Sequence, residues 1–512
     1  MKKLLLFSFL IIIVNVTVYP QTTVITHGFN VGTGSPINEW MLEMANAIRN
    51  RVGDAVVRVY NPTSGSFDYR VGSGTQTILL FDWTEPSNDM QKGYTEDAGS
   101  SLFTALLKGK LQGDFNLDLL HFIGHSRGTV VNSEAVERLL VAGYPVEQVT
   151  SLDAHDWGGA NFFTDYDCNP ESWISGVEGW EGINWSDSYW QDATIDLSGR
   201  AVEGTYSTYL GTVGHSGVHD WYYQTILDTA RHEGYYYSLN GGGSNNRPLE
   251  TGIKKLPVFT FNNDGIMNGN FERGSHIYSS IPGWWYHGGG GEASIDNTYL
   301  NLNSSGSGKM HNRFYIPPNA VRLQFDYSIY TEDNTETAPN IDELLVLLNG
   351  NSLINPIYMS KHMDDWHTKT IFIDNLRNSV QTIEFRLLDE IGGEDNINSE
   401  VWIDNVKMII DPFLSINEST YGGFNNSFEV SVYPNPFSDE ATIYYTLNDD
   451  DFVTIKIYNV LGKEIATLAD NIYTTNGNHE VSFTGTNLNA GIYFARIAVG
   501  QETQDKKIVL VK

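Results

Sequence analysis

Cysteine is almost absent from this sequence, because its 512 residues include only one, Cys168. A single thiol excludes an intramolecular disulfide, so the fold must be stabilised by packed cores or by bound metal ions. Cys168 lies in the polar segment YDCNPES, which has no strand-to-helix pattern of the kind that exposes a catalytic nucleophile. We therefore do not expect thiol chemistry.

Positive charge is also scarce. The chain has 31 lysine and arginine residues against 62 aspartate and glutamate residues, which gives a formal net charge of −31. Nucleic-acid binding depends on clustered cations that neutralise phosphates, so this balance excludes nucleic acid as a partner. An acidic, self-repelling surface is instead typical of a soluble secreted protein.

Long hydrophobic runs are confined to the N-terminus, where Met1-Lys2-Lys3 precedes an apolar run from Leu4 to Val18. A positive end followed by an apolar run that is short for a membrane span predicts an export signal over residues 1–21. No other segment has the length and composition of a span. We therefore expect an exported protein with no membrane span after signal removal.

Residues 22–247 alternate short apolar runs with amphipathic helical patterns such as INEWMLEMANAIRNRV (37–52). This alternation predicts an α/β domain with a mostly parallel sheet and helices on both faces. The predicted strands are TTVITHG (22–28), AVVRVY (55–60), TILLFDW (77–83), LDLLHFIG (117–124) and VEQVTSLDA (146–154).

The rest of the chain shows only strand patterns. Residues 256–412 contain short alternating strands separated by Gly, Asn and Asp, which predict a β-sandwich. A polar linker is predicted over residues 413–427, and a smaller β-sandwich over residues 428–512. The sequence therefore predicts a multidomain protein with one α/β domain and two β domains.

The pentapeptide Gly124-His125-Ser126-Arg127-Gly128 stands between a predicted strand and the helical pattern TVVNSEAVERLLVAG. Gly-x-Ser-x-Gly at such a junction is typical of a nucleophile elbow, in which a sharp turn strains the serine and exposes its Oγ at the sheet edge. A hydroxyl is a poor nucleophile until a base removes its proton. The prediction therefore requires a base and an acid elsewhere in the chain.

An oxyanion hole requires two N–H donors. The first candidate is the backbone N–H of Arg127, which follows the serine. The second is the backbone N–H of Phe29, which follows the pair His27-Gly28 at the end of the first predicted strand. A tight turn is the alternative interpretation of that His-Gly pair.

The acid and the base are expected after the serine, in the order acid and then histidine. Asp153 ends a predicted strand and is the preferred acid, with Asp156 as its neighbour and alternative. The preferred base is His215, and His219 is the alternative base. Ser216 is a plausible helix N-cap, which predicts that His215 lies in the preceding loop and His219 in the first helical turn.

The motifs THGF (26–29), FDW (81–83), GHSRG (124–128) and LDA (152–154) resemble the lipase branch of the α/β-hydrolase superfamily, the pancreatic-lipase-like group. The resemblance covers roughly residues 22–245. It implies a carboxylic ester hydrolase that acts through an acyl-enzyme, without a catalytic cofactor. Ser126, Asp153 and His215 would form the triad, with Phe29 and Arg127 as oxyanion donors. The chain departs from the family because the first strands of a full hydrolase sheet are missing.

A second departure is the tryptophan-rich segment 157–200. It is either a lid or substrate wall made of aromatic side chains, or a segment that simply packs, and the sequence leaves both open. Its tryptophans are Trp157, Trp173, Trp180, Trp185 and Trp190.

The segments MNGNFERG (267–274) and VWIDNVKM (401–408) resemble the two ends of the jelly-roll carbohydrate-binding modules of secreted glycan-degrading enzymes. In that family the two ends meet and often hold a structural calcium, which makes Glu272 and Asp404 the candidate ligands. Polysaccharide binding would use exposed aromatic side chains, although core packing is the alternative for each. The candidates are Trp284, Trp285, Tyr286 and Trp366.

The end of the chain carries the most specific pattern: VYPNPFSDEATIYYTL, VTIKIYNVLGKEI, NLNAGIYFARI and the terminal KKIVLVK. These segments resemble the C-terminal sorting domain of the type IX secretion pathway. The resemblance implies export, the secretion machinery as a partner, and a secreted or cell-surface location. A generic fibronectin-like spacer is the alternative.

Together these patterns favour a secreted serine esterase or lipase whose substrate is an ester of a lipid or an acylated glycan. One alternative is a surface glycan-binding adhesin with an inactive hydrolase domain. Another is an amidase or acyltransferase that uses the same fold.

Overall fold

The structure is a computed structural model. It describes residues 21–30, 37–88, 93–155, 177–193, 198–239, 247–257, 261–262, 266–271, 281, 283–285, 293–296, 299–303, 308–331, 342–358, 365–388, 399–410, 428–435, 437–447, 451–459, 463–486, 488–499 and 502–512. The chain divides into two compact units, Met1–Ile409 and Ile410–Lys512.

The first unit begins with an α/β part. Its elements are β1 (Thr22–Thr26), α1 (Glu39–Val52), β2 (Val56–Asn61), β3 (Ser66–Val71), β4 (Thr77–Phe81), α2 (Thr84–Ser87), α3 (Tyr94–Leu111), β5 (Leu120–His125), α4 (Gly128–Val141), β6 (Val146–Leu152), β7 (Ile183–Trp190), β8 (Tyr206–Tyr209), α5 (His215–Leu227) and α6 (Tyr236–Leu239).

These eight strands form one sheet in the order β3-β2-β4-β1-β5-β6-β7-β8. Every pair is parallel except the β2–β3 hairpin, which is antiparallel and lies at one edge. Although β1 is the first strand of the chain, it lies in the middle of the sheet between β4 and β5. The carboxyl ends of the neighbouring strands β1, β5 and β6 therefore meet at one edge.

Helices cover both faces of this sheet. Alternate strand residues enter opposite cores because successive side chains point to opposite faces. On β1, Val24 packs in the core that receives Leu102 of α3 and Val131 of α4. Its neighbour Ile25 packs with Met44 of α1 and with side chains of α5. The α/β character predicted for this region is thus present.

The sequence also contains strands that its patterns did not predict. The hairpin partner β3 and the last two strands, β7 and β8, fall outside the predicted set. Ser186, Asp187 and Ser188 of β7 are all buried, and the polar character of these three consecutive residues hides the strand pattern.

A β part follows within the first unit. Its elements are β9 (Phe261–Asn262), β10 (Ile266–Met267), β11 (Ala293–Asp296), β12 (Tyr299–Asn303), β13 (Lys309–Ile316), β14 (Ala320–Thr331), β15 (Glu343–Leu348), β16 (Asn351–Ser352), β17 (Ile357–Tyr358), β18 (His367–Phe372), a 3-10 turn (Asp374–Leu376), β19 (Ser379–Leu388) and β20 (Ser399–Ile410).

Two antiparallel sheets make up most of this β part, which we call the sandwich (residues 261–410). One has the order β11-β12-β20-β14-β18, and the other the order β13-β19-β15-β16 with β17 beside β15. Their inner faces meet in a buried core, where the rings of Phe325 and Phe385 are 5.0 Å apart.

The α/β part and the sandwich are in direct contact. Arg313 on β13 bonds the carboxylate of Asp97 and the hydroxyl of Ser101 on α3, and its Nη1 also donates to the Asp97 carbonyl at 3.0 Å. A cavity of about 320 Å³ opens beside this contact, lined in part by Trp285 and Glu384. The two parts therefore belong to one compact unit.

The second unit is made of strands alone in its described residues. They are β21 (Phe428–Tyr433), β22 (Glu440–Leu447), β23 (Asp451–Asn459), β24 (Glu464–Thr474), β25 (Gly477–Thr484), β26 (Gly491–Val499) and β27 (Glu502–Leu510). They form sheets of order β21-β22-β25 and β24-β23-β26-β27 around a core that includes Ile443, Ile455 and Ile497. Within the described residues, no helix combines the length and the apolar character that crossing a membrane requires.

Candidate active site

Ser126 occupies a sharp turn between β5 and α4. Its φ is 57°, in the left-handed region that side chains other than glycine rarely adopt. Its backbone N–H donates to the carbonyl of Leu152 at 3.0 Å, which ties the turn to the end of the neighbouring strand β6. The backbone is therefore strained and fixed at the one residue that the sequence pattern singles out.

Three glycines make this turn possible. A Cβ at Gly124 would lie 2.7 Å from the Gly128 carbonyl oxygen, and a Cβ at Gly128 would lie 2.5 Å from the carbonyl oxygens of Thr26 and His27. A Cβ at Gly28 would lie 2.4 Å from Ser126 Cβ and 2.9 Å from Ser126 Oγ. Gly28 thus brings the end of β1 against the serine.

Asp153 lies at the end of the adjacent strand β6, with φ of 51° and no exposed surface. Its Oδ1 accepts a hydrogen bond from the Gln191 backbone N–H at 3.0 Å, and its Oδ2 accepts one from Gln191 Nε2 at 2.8 Å. Oδ2 also lies 2.6 Å from His215 Nδ1. The structure therefore brings Asp153 and His215 together.

His215 is the first residue of α5, rather than part of the preceding loop as the Ser216 N-cap prediction required. The reversal occurs at Gly214, whose φ of 81° and ψ of 162° suit a residue without a side chain. Because the Asp153 carboxylate can only accept, His215 Nδ1 carries the proton of their hydrogen bond. The unprotonated nitrogen of neutral His215 is then Nε2.

Ser126 and His215 are linked through His125, which precedes the serine. His125 Nε2 lies 3.1 Å from the His215 carbonyl oxygen, and the two rings are 4.6 Å apart. The described contacts do not include a hydrogen bond from Ser126 Oγ to His215. In enzymes without substrate such bonds are often long and shorten only when substrate binds.

His219, the alternative base, has other partners. Its Nδ1 lies 3.0 Å from the Asp220 carboxylate, and its ring stacks on Trp40 at 4.7 Å. Asp156, the alternative acid, lies outside the described residues. Of the candidate pairs, Asp153 and His215 are the acid and base that the described residues place in contact.

Neutral imidazoles surround His215. Burial lowers the pKa of His125 well below its usual value, and the positive charge of nearby His215 acts in the same direction. Burial likewise lowers the pKa of His155 to about 4, and its ring lies 5.5 Å from that of His215. These neighbours therefore add no positive charge at neutral pH.

Of the two predicted oxyanion donors, Arg127 follows Ser126 directly, and Phe29 follows the glycine that approaches Ser126 closely. Phe29 follows Gly28, and no described residue accepts a hydrogen bond from its backbone N–H. The Arg127 side chain turns into the protein, where Nη1 donates to the Ser87 carbonyl at 2.7 Å and the guanidinium lies 5.3 Å from the Trp83 ring.

Hydrogen bonds from Trp83 hold the residues that follow β1. Trp83 Nε1 donates to the His27 carbonyl at 2.6 Å, and the Trp83 backbone N–H lies 3.2 Å from His27 Nε2. His27 Nδ1 donates to the Gly28 carbonyl at 2.7 Å, since a carbonyl can only accept, and His27 Nε2 also lies 3.3 Å from Asp82 Oδ1. These bonds fix the backbone that leads to Phe29.

Part of the tryptophan-rich segment lies outside the described residues, including Trp157 and Trp173. Within the described part, Trp180 and Trp185 are buried. Trp180 Nε1 donates to Ser133 Oγ at 3.0 Å, and Trp185 Nε1 donates to the Pro248 carbonyl at 3.0 Å. These two tryptophans pack, and do not form a substrate wall.

The two ends of the sandwich meet as the resemblance implies, because the Val406 N–H donates to the Gly269 carbonyl at 2.8 Å. Of the two predicted calcium ligands, Glu272 lies outside the described residues. Asp404 accepts the Asn405 N–H at 2.7 Å. The part of the chain that the structure describes contains no cluster of three His, Cys, Asp or Glu side chains that could hold a metal ion.

The aromatic candidates of the sandwich divide into two groups. Trp284 and Trp285 are buried, so they belong to the packing alternative. Tyr286 lies outside the described residues. Trp366 is 44% exposed, and Tyr299 lies between it and Trp402, with ring centroids 5.6 Å and 5.3 Å apart.

Two residues of this site escaped the sequence-based prediction. Gln191, which holds Asp153, carries no motif and is placed by β7, a strand that was not predicted. His125, which contacts His215, was included in the pentapeptide but without a role. Gln191 could have been found as a polar residue that directly follows a strand, if that strand had been recognised as the neighbour of the strand that ends at Asp153.

Comparison with known proteins places the last part of the chain in a family. Residues 431–512 match the secretion system C-terminal sorting domain, which confirms the type IX sorting prediction. No curated protein sequence matches the chain.

Solved structures give weaker similarities. A proposed cell surface hydrolase from Lactobacillus plantarum WCFS1 is 14% identical, with 41% of this chain and 78% of that one covered and a TM-score of 0.23. A β-glucuronidase from Ruminococcus gnavus is 12% identical with a TM-score of 0.14; the match covers 40% of this chain and 34% of the glucuronidase. Scores this low establish neither a shared fold nor a shared activity.

Proposed function

Because its sorting domain marks this protein for export to the cell surface or the medium, we propose that it is an exported serine carboxylic ester hydrolase. The observation that carries the proposal is the 2.6 Å contact between His215 Nδ1 and the buried Asp153 carboxylate, beside a serine in a strained elbow. The α/β-hydrolase fold of residues 22–247 belongs to the same proposal.

In this proposal Ser126 Oγ attacks the ester carbonyl while His215 Nε2 removes its proton. Asp153 holds the imidazole by Nδ1 and stabilises the imidazolium that forms. The backbone N–H groups of Phe29 and Arg127 stabilise the oxyanion. The alcohol leaves with the proton from His215, and an acyl group stays on Ser126. Water then attacks, assisted by the same histidine, and releases the acid.

The surroundings of His215 support its role as the base. The pKa values of His125 and His155 are lowered by burial, so both rings stay neutral when His215 takes up a proton. A positive neighbour would oppose that proton transfer. The Asp153 carboxylate is the negative group in contact with the ring.

The ester is proposed to be a lipid ester or an acylated glycan. The exposed Trp366, with Tyr299 and Trp402 beside it, supports a polysaccharide-binding surface on the sandwich, because aromatic rings stack on sugar faces. A structural calcium held by Glu272 and Asp404 stays part of this proposal for the sandwich.

The test is hydrolysis of p-nitrophenyl esters of increasing chain length, and of acetylated xylan, by the full exported chain. We expect hydrolysis by the wild type, and a loss of about a thousandfold or more in kcat for Ser126→Ala and His215→Ala. His232→Ala is the matched histidine control, since His232 stacks on Tyr236 outside the site. A fluorophosphonate probe should label the wild type and not Ser126→Ala.

Wild-type protein without ester hydrolysis or probe labelling would contradict the proposal and favour the adhesin. Amide hydrolysis or acyl transfer that exceeds ester hydrolysis would favour the amidase or acyltransferase. Unchanged activity in Ser126→Ala would exclude the serine as nucleophile.

A further inference from the structure

His125 is the last residue of β5 and directly precedes Ser126. Its side chain is buried, with its Nε2 3.1 Å from the backbone carbonyl oxygen of His215. No motif assigns this contact, because its acceptor is a main-chain atom. It joins the residue before the nucleophile to the residue proposed as the base.

The direction of the hydrogen bond follows from the chemistry of its two ends. A carbonyl oxygen can only accept, so His125 Nε2 must carry the proton. A buried neutral imidazole has one N–H, which places the other ring nitrogen, Nδ1, in the unprotonated state. The contact is therefore a neutral N–H to carbonyl bond that persists at neutral pH.

This hydrogen bond lies at the start of α5, which has no side-chain cap. His215 opens α5, and the residue before it is Gly214, which has no side chain and forms no side-chain cap. A carbonyl in the first helical turn accepts one helical hydrogen bond and has a second lone pair free for another donor. His125 uses that position to tie the first turn of α5 to the end of β5.

Packing fixes the His125 ring itself. The Trp40 ring meets it edge-on at 5.8 Å, and the His219 ring meets it edge-on at 4.8 Å. Trp40 and His219 stack on one another at 4.7 Å. This aromatic group leaves the ring few alternative orientations, so its N–H direction is set before substrate arrives.

We propose that His125 is a positioning residue, which holds the His215 backbone so that the imidazole stays within reach of Ser126. The inference rests on the proposed ester hydrolase function. His125 does not touch the reacting atoms in this proposal. It acts through the placement of His215, so its loss should lower kcat and leave KM unchanged.

The experiment replaces the imidazole ring of His125 with the side-chain amide of glutamine or of asparagine. In His125→Gln the side-chain nitrogen reaches the position of Nε2, whereas in His125→Asn it reaches only the position of Nδ1. Both variants are polar and remove the same ring packing. We expect kcat within about twofold of wild type for Gln and about tenfold lower for Asn, with equal KM, because small displacements of catalytic groups are costly.

A second measurement does not need substrate. The Nδ1 proton between His215 and Asp153 should give a far-downfield proton NMR signal, which we expect in wild type and His125→Gln and expect to be broadened in His125→Asn. Thermal unfolding of both variants reports their folding. If neither folds, His125→Phe, which keeps the ring packing, replaces Asn as the variant without a donor.

Equal kcat for the variants with and without the donor, or a KM that changes as much as kcat, would overturn the inference. Ser126→Ala, assayed in parallel, separates this result from failure of the proposed function. If Ser126→Ala is inactive and wild type is active, equal rates for the His125 variants reject the positioning role alone.

Discussion

Gln191 holds the Asp153 carboxylate with two of its own N–H groups, one from its backbone at 3.0 Å and one from its side chain at 2.8 Å. One residue thus contacts both carboxylate oxygens. The side-chain oxygen of Gln191 accepts the Ala193 N–H at 2.6 Å, which fixes which end of the amide faces Asp153. The carboxylate is therefore oriented before it meets His215.

Replacing Gln191 with methionine should lower kcat/KM about tenfold. Gln191→Met keeps the side-chain length and the backbone donor, but removes the donor to Asp153 Oδ2, so the carboxylate can rotate away from His215. Gln148→Met is the matched control, because Gln148 Nε2 donates to the buried Asp187 carboxylate outside the site. Steady-state kinetics and thermal unfolding check both variants; equal losses of kcat/KM would show that the effect of Gln191 is only structural.

His121 should make the protein sensitive to acid. Burial, with a smaller effect of the Arg247 charge, lowers the pKa of His121 to about 3, whereas an unfolded histidine titrates near its ordinary value of 6.5. Between pH 6.5 and about pH 3, His121 binds a proton in the unfolded chain and stays neutral in the folded protein. The contribution to stability is therefore complete above pH 6.5 and is lost progressively as the pH falls towards 3.

His121→Gln removes that titration and retains a nitrogen that can reach Thr150 Oγ1, the partner of His121 Nε2 at 2.9 Å. When the pH falls from 8 to 5, we expect the unfolding free energy of the wild type to decrease by about 2 kcal/mol more than that of His121→Gln. Asp187, whose pKa burial raises to about 6, acts in the opposite direction in both proteins. Urea unfolding at the two pH values checks this, and parallel pH profiles would contradict it.

The contact of Arg313 with α3 should stabilise the first unit. Arg313→Met leaves the Asp97 carboxylate partly buried without this cation and removes the cation beside the Trp285 ring, whose centroid is 5.6 Å away. We expect unfolding free energy to fall by about 2 kcal/mol. Arg386→Met is the control, since Arg386 pairs with Glu384 within the sandwich and is more exposed; its effect should stay below about 1 kcal/mol. Calorimetry distinguishes the two, and equal effects would reject the role of the contact.

The sequence predicted the elements whose apolar residues recur at strand or helix spacing. The strand TTVITHG and the helix INEWMLEMANAIRNRV appear as β1 and α1 because their apolar spacing matches one element each. The strand β7 was missed because three consecutive buried residues in it, Ser186, Asp187 and Ser188, are polar. Asp187 is satisfied there by Thr150 Oγ1 at 2.6 Å and Tyr189 OH at 2.9 Å, partners that exist only after the sheet has formed.

The candidate site likewise contains residues that a sequence pattern predicts and residues that no pattern marks. Ser126, Asp153 and His215 follow from residue types at strand and helix ends, and the structure brings Asp153 and His215 into contact. The contributions of Gln191 and His125 depend on which strands are neighbours and on a main-chain acceptor. Neither leaves a pattern in one sequence, since glutamine and histidine occur in many other settings.

Ser126 and Asp153 both have left-handed backbone conformations, at φ of 57° and 51°. Each such residue costs about 1 kcal/mol relative to glycine at the same position. At Asp153 the three hydrogen bonds of the buried carboxylate oppose replacement by glycine, but the Ser126 position has no such compensation. A search for heat-resistant variants that scored survival alone would therefore favour glycine in place of Ser126 and remove the proposed nucleophile, so any such engineering has to select for turnover as well.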